Sequence, residues 1–589
     1  MKKRKWLIML IAVLVLALAG CGKDNGNREE EEVEEEEETE EKTEKKHTKK
    51  PKPTKEPEAV VTEEASPEED TAIHVKNARE LLEAIAPGAD IVLDAGDYNL
   101  TEAIEDDAFI MNLEYCERDY NNGLRIIGIE GLTIRAEKKG MTEIYIEDPF
   151  NPVIWFNSVK DIKIENIVFG HRVEKGLCTG SVLKFEYSDN IELNNTELYG
   201  CGTYGLEAYY CVGIDCTQCS IHDCSYGIFN MNECGDVKFD TCVMNKNDGY
   251  DLLSGFSSSI VFSNCIFDQN SAEADFIDAY PQSMYLFRGC TFGKSETQSI
   301  KNLGLEHGEV AFDGKCKYDS SVMQKPIKEP VYVSSVEEFI NAVGPGAVIF
   351  VEPGEYNISD YLDEVWEKEG ESWNDRHSCA SIETCFDGKE INFFYANGMS
   401  IIGDTDDCSE VKFITDPRYA AVFNFNSCEE VGIWNITAGH SQMGYCVGNV
   451  IDLSACSWVD FENVDLYGCG VIGISIMDKC GMVRVFDSVI HDCENGPFQC
   501  VNFNAELYVN NTKMIGSNGG GYYDHEAIQD PGDEEAFSAV YRFMRCTFGE
   551  KESNRMAFDD ELYFDRCDFA EITEYPDYGY DEYPDYPEY

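Results

Sequence analysis

Short apolar alternations recur along the chain in one register. "DIKIENIVF" from Asp161, "NIELNNTEL" from Asn190, "GIDCTQCSI" from Gly213, "DVKFDTCVM" from Asp236 and "SIVFSNCIF" from Ser259 share the form x-Φ-x-Φ-x-x-Φ-x-Φ. Here Φ is an inward residue, and the third Φ is often Cys. Successive rows start about 23 residues apart, a period that belongs to solenoids. Each row holds two period-2 strands separated by two residues. The next row repeats the order instead of mirroring it, so the rows are not hairpins. Three short strands and three turns fit one row, which predicts a parallel β-helix.

The two-residue corner supports that prediction. Its second place holds Asn166, Asn195 and Asn264, then Asn435, Asn463 and Asn511 in a second set of rows. A sharp corner needs a left-handed residue, which Asn tolerates, and stacked amides can bond to one another up the coil. Gln218, Thr241 and Asp487 interrupt the series. The second set reads "EVGIWNITA", "WVDFENVDL", "MVRVFDSVI", "ELYVNNTKM", "VYRFMRCTF" and "ELYFDRCDF". Both sets open alike, with "VKNARELLEAIAPGADIVLDAGDYNL" from Val75 and "VSSVEEFINAVGPGAVIFVEPGEYNI" from Val333. Leu81, Leu82 and Ile85, and Val336, Phe339, Ile340 and Val343, form helical stripes ended by Pro-Gly before a strand. A helix there caps the open first rung. The near-twins "NTELYGCGTYGLEAYYC" (Asn195) and "NVDLYGCGVIGISIMDKC" (Asn463) agree with a copied unit. The expected class is all-β, a parallel β-helix solenoid in two tandem copies, each with an N-terminal capping helix, joined by "KYDSSVMQKPIKEP" (Lys317 to Pro330).

The cap helix, the first strands "ADIVLDAGDY" and "AVIFVEPGEY", and the Asn-cornered rungs resemble the right-handed parallel β-helix, or pectin-lyase-like, superfamily. The resemblance covers residues 72–325 and 330–570. It implies a right-handed coil but no single reaction, because the superfamily holds lyases, hydrolases, epimerases, adhesins and phage tailspikes.

Twenty-five cysteines would suit disulfides, yet Cys219, Cys242, Cys265 and Cys290 occupy one inward place in successive rungs. In-register side chains on rungs about 4.8 Å apart point the same way, and a disulfide needs converging Cβ atoms. These cysteines therefore read as small buried hydrophobes. Pairing among Cys116, Cys178, Cys379 and Cys385 stays open. No C-x-x-C pair sits opposite another, so no zinc or other metal site is expected.

Charge alters the list of partners. Lys+Arg 47 against Asp+Glu 112 gives −65, which excludes nucleic acid. An acidic polysaccharide is repelled too, unless Ca²⁺ bridges carboxylates on both sides. Much of the acid lies in a low-complexity stretch, Arg28 to Asp70, that cannot bury a core. "MKKRKWLIMLIAVLVLALAGC" has a basic start and an apolar run, the form of a secretory signal. Leu18-Ala19-Gly20-Cys21 resembles a bacterial lipobox, which implies cleavage and lipid on Cys21, hence an exported protein anchored to the cell membrane. The expected layout is a signal at 1–20, a charged linker at 21–71, β-helices at 72–325 and 330–570, and an acidic Tyr/Pro-rich tail at 571–589.

Both copies place matching polar residues after the third strand: His171, Tyr199, His222 and Asp223 in one, and His440, Tyr467, His491 and Asp492 in the other. His beside Asp suits a general base and its orienting partner, which makes His171, His222, Asp223, His440, His491 and Asp492 candidate catalytic residues. Tyr199 and Tyr467 are candidate sugar-stacking residues. The competing reading is packing, with Gly170, Gly200 and Gly202 at positive-φ turns. Hydrolysis of a polysaccharide needs two carboxylates across the bond. The outward residues of the first strand in each rung read Lys184, Glu186, Glu207 and Phe229 in one copy, against Asp452, Ser475 and Asn502 in the other. No carboxylate pair is common to both. The leading expectation is a surface protein that binds polysaccharide or glycan. Alternatives are a polysaccharide lyase or hydrolase, for which the resemblance allows Ca²⁺ as cofactor, and a surface adhesin or structural protein.

Overall fold

The computed structural model describes residues 72–571, apart from 105–112, 119–120, 201, 279–282, 304–307, 327, 443–446, 469–470, 504, 525–538, 558 and 560. The expected signal at 1–20, Cys21 with the lipid expected on it, the expected linker at 21–71, the tail beyond 571, Cys201 and Cys469, and the side chain of Cys116 lie outside the described residues.

Strands from Ile73 to Phe312 form a first coil with sheets of ten, eight and seven strands. Strands from Val331 to Phe569 form a second, with nine, eight and seven. Within each sheet every strand bonds to the strand one turn earlier and one turn later. Ile162, Ile191, Ile214, Val237, Ile260, Tyr285 and Val310 thus form one inward column of the ten-stranded sheet. The next column places Phe239, Phe262, Phe287 and Phe312 face to face, with successive centroids 5.1, 4.8 and 4.8 Å apart. The rows are parallel, as expected. Each seven-stranded sheet nevertheless starts with an antiparallel hairpin, Leu113–Arg118 with Asn121–Ile127 and Ala380–Thr384 with Lys389–Phe394. Both precede the repeated rows, where no earlier rung exists to pair with.

Helices Ala78–Ala84 and Val336–Ala342 cover the first rungs. Asn77 and Ser335 start them by accepting the backbone N–H of Glu80 and Glu338. Leu81, Leu82, Phe339 and Ile340 seal the core beneath. All nine corner residues lie at positive φ, between 48° and 61°. Asn195 donates to Asn166 at 2.7 Å, Asn463 to Asn435 at 2.8 Å and Asn511 to Asp487 at 2.5 Å.

The described cysteines are free thiols. Cys219, Cys242, Cys265 and Cys290 stack in one buried column. Their thiols face carbonyl oxygens of the preceding rung, those of Leu193, Cys216, Phe239 and Phe262, at 3.1 to 3.5 Å. The column satisfies backbone acceptors at the corner while filling the core.

The coils lie side by side with their largest sheets face to face. The outward sides of these sheets share a core in which Met284, Leu286 and Ala311 meet Phe350, Trp434 and Phe486. The end of the first coil meets the start of the second, where Ser400 Oγ donates to the Gly308 carbonyl at 2.6 Å. The middle of the first meets the end of the second, where Arg545 pairs with Asp189 at 3.1 Å. The two stacks therefore run antiparallel.

Candidate functional site

The eight-stranded sheets carry most of the candidates anticipated from sequence. Strand pairing aligns Tyr145, Gly170, Tyr199, His222 and Asn245 as one column. In the second coil it aligns Ile414, Gly439, Tyr467, His491 and Ile515. The glycine has a packing reason. A Cβ on Gly170 would sit 2.2 Å from the Tyr199 ring, and one on Gly439 would sit 2.5 Å from Tyr467. Each tyrosine lies back over its glycine and stacks on the next histidine, with centroids 6.0 and 5.8 Å apart. The Tyr199 hydroxyl donates to Glu143, which Arg172 holds in turn at 3.0 Å. Positive φ is confined to Gly200, at 68°, among the three glycines of the first coil expected to need it. Gly170 makes room for Tyr199, and Gly202 for the Cys178 carbonyl.

Both histidine rings of the columns are held on two sides. His222 meets Asp223 through Nδ1 at 2.7 Å and Glu197 through Nε2 at 3.1 Å. His491 meets Asp492 at 2.6 Å and Asp465 at 3.0 Å. Two carboxylates favour the imidazolium. The Glu197 hydrogen bond holds His222 above its ordinary value, and the Asp465 and Asp492 carboxylates push His491 up to about 9. A general base needs a free lone pair, and neither ring has one. The histidine–aspartate pairs fasten adjacent rungs together. The folded pKa of His491 exceeds the unfolded 6.5. Its contribution to stability is therefore complete below pH 6.5 and disappears as pH rises through about 9. The His491 imidazole resonances are expected to titrate near pH 9 and to move toward 6.5 in Asp465→Asn. A midpoint near 6.5 in the unmodified chain would refute the clamp.

His171 and His440 are 1% exposed. Each Nε2 donates to a backbone carbonyl at 2.9 Å, that of Asn151 and that of Ala420. Burial pulls both below the ordinary value, which keeps them neutral. The catalytic expectation for these two gives way to a packing role, because a substrate has no route to them. Tyr199 and Tyr467 have one ring face against glycine and the other toward histidine, which leaves little face for a sugar.

The outward side of the first coil's seven-stranded sheet carries a different constellation. Arg125, Trp155, Lys184, Glu207 and Asn230 are consecutive partners along it. Trp155, Lys184 and Glu207 of this column, with Tyr209, line one wall of a cleft of about 560 Å³, closed on the other by Asn151-Pro152 and Thr179-Gly180-Ser181. Gly180 permits that closure, since a Cβ would lie 2.1 Å from the Asn151 carbonyl oxygen. The Arg125 guanidinium and the Lys184 ammonium lie 4.5 and 4.6 Å from the Trp155 ring centre. Lys184 also pairs with Glu186 at 2.8 Å. Ser181 donates to Glu207 at 2.9 Å, and Asn230 to the Tyr209 hydroxyl at 3.1 Å. Burial, helped by Glu207, raises the Tyr209 phenol, so it stays a neutral donor. The Trp155 indole N–H is buried with no partner.

Two outward assignments are corrected here. Phe229 is fully buried, and Asn230 follows Glu207 on the outside. In the second coil the outward series is Asn424, Asp452, Ser475, Gln499, while Asn502 sits at a corner with φ 52°. That coil has a carboxyl the sequence reading passed over. Burial pushes Glu390 up to about 7, and the Asp452 charge adds to the shift. Asp452 is raised by burial as well and accepts from Asn449 at 2.6 Å.

A family model described as the right-handed beta helix region matches residues 144–311. No curated protein matches the chain. Among solved structures it is similar to the A-module of a mannuronan C-5 epimerase from Azotobacter vinelandii. That likeness has 7% identity and a TM-score of 0.22, over 84% of this chain and 100% of the other. It is also similar to a PL6 family alginate lyase (9%, TM-score 0.24, over 82% and 89%). A third is the catalytic unit of a GH87 alpha-1,3-glucanase from Streptomyces thermodiastaticus (10%, TM-score 0.22, over 78% and 71%). The architecture is an all-β, right-handed parallel β-helix.

Proposed function

We propose that this chain is an exported protein, anchored to the cell membrane by lipid on Cys21, that binds polysaccharide along its first coil. Two tandem β-helix copies at 72–325 and 330–570 stand on the charged linker 21–71. The observation that carries the reading is the Trp155–Lys184–Glu207 cleft. Glycan recognition needs a concave site with a few convergent polar groups beside aromatic surface, and this cleft is lined by Glu207, Lys184, Ser181 and Tyr209 beside the Trp155 indole. Charge also favours it. Arg125 and Lys184 offset Glu186 and Glu207, so a uronate polymer meets little of the repulsion it meets on the rest of a chain of −65. A second reading, hydrolysis at Glu390 and Asp452, is favoured by their raised carboxyls, because a general acid must hold its proton near neutral pH.

The test is calorimetric titration of the full chain with soluble neutral and uronate polysaccharides, with reducing ends assayed in parallel. The expected result is saturable binding to at least one polymer without product. Glu207→Gln should weaken it about tenfold, roughly 1.4 kcal/mol, and His222→Ala should leave it intact. Release of ends that Glu390→Gln abolishes would select hydrolysis. Equal affinity in wild type and Glu207→Gln would remove the cleft from the account.

A further inference from the structure

The second coil repeats the framework of the first coil's cleft with different chemistry. A Cβ on Gly180 would lie 2.1 Å from the Asn151 carbonyl oxygen, and one on Gly448 would lie 2.1 Å from that of Ala420. His171 and His440 bond to those same two carbonyls. Val153 donates to the Val182 carbonyl and Val422 to that of Val450, both at 3.0 Å. With the walls matched in this way, strand register sets Trp155, Lys184, Glu207 and Asn230 against Asn424, Asp452, Ser475 and Gln499.

The charges do not carry across. Arg125 and Lys184, the cations of the first column, correspond to Asn392 and Asp452. Glu186 and Glu207 correspond to Ser454 and Ser475. Asp452 is already engaged, by Asn449 at 2.6 Å and by the Ser475 hydroxyl. Asn392, Asn424 and Gln499 are half-buried on the outward side, and their amides bond to no other group among the described residues. An amide both donates and accepts. Rungs about 4.8 Å apart repeat this polar row at close to the length of one hexose unit in a glycan chain.

The rim is aromatic in both coils. Tyr419 stands where Phe150 lines the first cleft. It is 40% exposed, and its ring centroid lies 5.0 Å from that of Phe386, which is 85% exposed. Asp387 fixes this loop by accepting the backbone N–H groups of Arg418 at 2.8 Å and Tyr419 at 3.2 Å. Exposed aromatic faces suit the apolar side of a sugar ring, and the amides beside them suit its hydroxyls.

We propose that this face of the second coil is a separate site for uncharged hexose units, bound through the Asn392, Asn424 and Gln499 amides beside Tyr419. The inference rests on the polysaccharide reading above and assigns a substrate class to the second coil. A uronate is disfavoured here, because its carboxylate would approach Asp452 and Glu390, and neither acid has a cation beside it to offset the charge. Burial keeps Glu390 near 7, with the Asp452 charge adding to the shift. Below that pH it offers a hydroxyl donor to a sugar oxygen.

The experiment is calorimetric titration of the full chain at pH 6.5 with dextran and laminarin, two uncharged polymers, and with polygalacturonate. At least one uncharged polymer is expected to bind saturably, with unchanged affinity when polygalacturonate is present in excess. Asn424→Ala combined with Gln499→Ala should weaken that binding at least tenfold while melting within a few degrees of wild type. Glu371→Gln, at an exposed position on another part of the second coil, should bind as wild type does. A chain that takes dextran or laminarin through Asn424 and Gln499, but no polymer through Glu207, would support this site while removing the first cleft. Absence of binding to both uncharged polymers, equal affinity in wild type and the double variant, or displacement of the uncharged polymer by polygalacturonate would each overturn the proposal.

Discussion

Replacing Asp460 by alanine is expected to cost the folded chain about 3–5 kcal/mol, the range for stranding one partner of a buried ion pair. Asp460 and Arg484 are opposite one another on adjacent rungs of the second coil's largest sheet. They are 2% and 0% exposed. The guanidinium holds the carboxylate by two bonds, 2.7 Å from Nε and 2.5 Å from the outer nitrogen. Both side chains point out of their own coil, and contact with the first coil is what buries them. Burial raises Asp460 and the nearby Glu309 of the first coil adds to it, while Arg484 pulls it back. Without Asp460 the arginine keeps its charge and loses two acceptors in a dry interface. The paired replacement Asp460→Leu with Arg484→Met should recover most of the loss, because apolar residues of similar size often serve a buried site as well as an ion pair does. Urea unfolding measures both. A cost under about 1 kcal/mol for Asp460→Ala would mean that the pair is solvated and the coils are apart.

The inward columns were legible because burial on one side of each strand writes a strict alternation. Ile162, Ile164, Ile167 and Phe169 fall at the four inward places of their row, and each is at most 1% exposed. The corners were legible because positive φ narrows the choice of residue. Legibility failed where burial was two-sided. In strand Gly227–Asn232 both Ile228 and Phe229 are buried, so alternation alone could not say which residue faced out. Phe350, Ile402, Trp434 and Phe486 point away from their coil and are still buried, because a second sheet lies on them. Consecutive apolar residues in "AVIFV" and at Val485-Phe486 carry that signal, yet such a run does not name its partner. For the candidate site, sequence brought Tyr199, His222 and Asp223 together correctly. It could not show that Glu197, on the previous rung, occupies the other ring nitrogen. The cleft was missed for a different reason. Trp155, one of six tryptophans, falls in the same outward column as Lys184 and Glu207, but the loops that close the cleft follow no period.

The same two-sided burial makes the coils interdependent, and a chain ending at residue 325 is expected to lose its monomeric native state. Within the full chain, Met284, Leu286 and Ala311 are at most 1% exposed although they lie on the outside of the first coil. Truncation would bare them as one flat patch at the C-terminal end of a sheet, and a contiguous exposed apolar patch drives self-association. It would also remove Arg545 from Asp189 and Arg566 from the Tyr210 carbonyl, each at 3.1 Å. At the near end the fit is too close for an alternative partner to reproduce easily. A Cβ on Gly308 would lie 1.8 Å from the Glu430 carbonyl oxygen, so the backbones of the two coils approach there with no side chain between. A sheared or rotated docking would bring side chains into that contact. Heated, the full chain should therefore show a single calorimetric transition in which both coils unfold together. The 1–325 chain should sediment as aggregates or as a dimer built on the bared sheet. Two separated transitions in the full chain, with the lower one matching a soluble monomeric 1–325 fragment, would show that each coil is stable alone and that the shared face adds little.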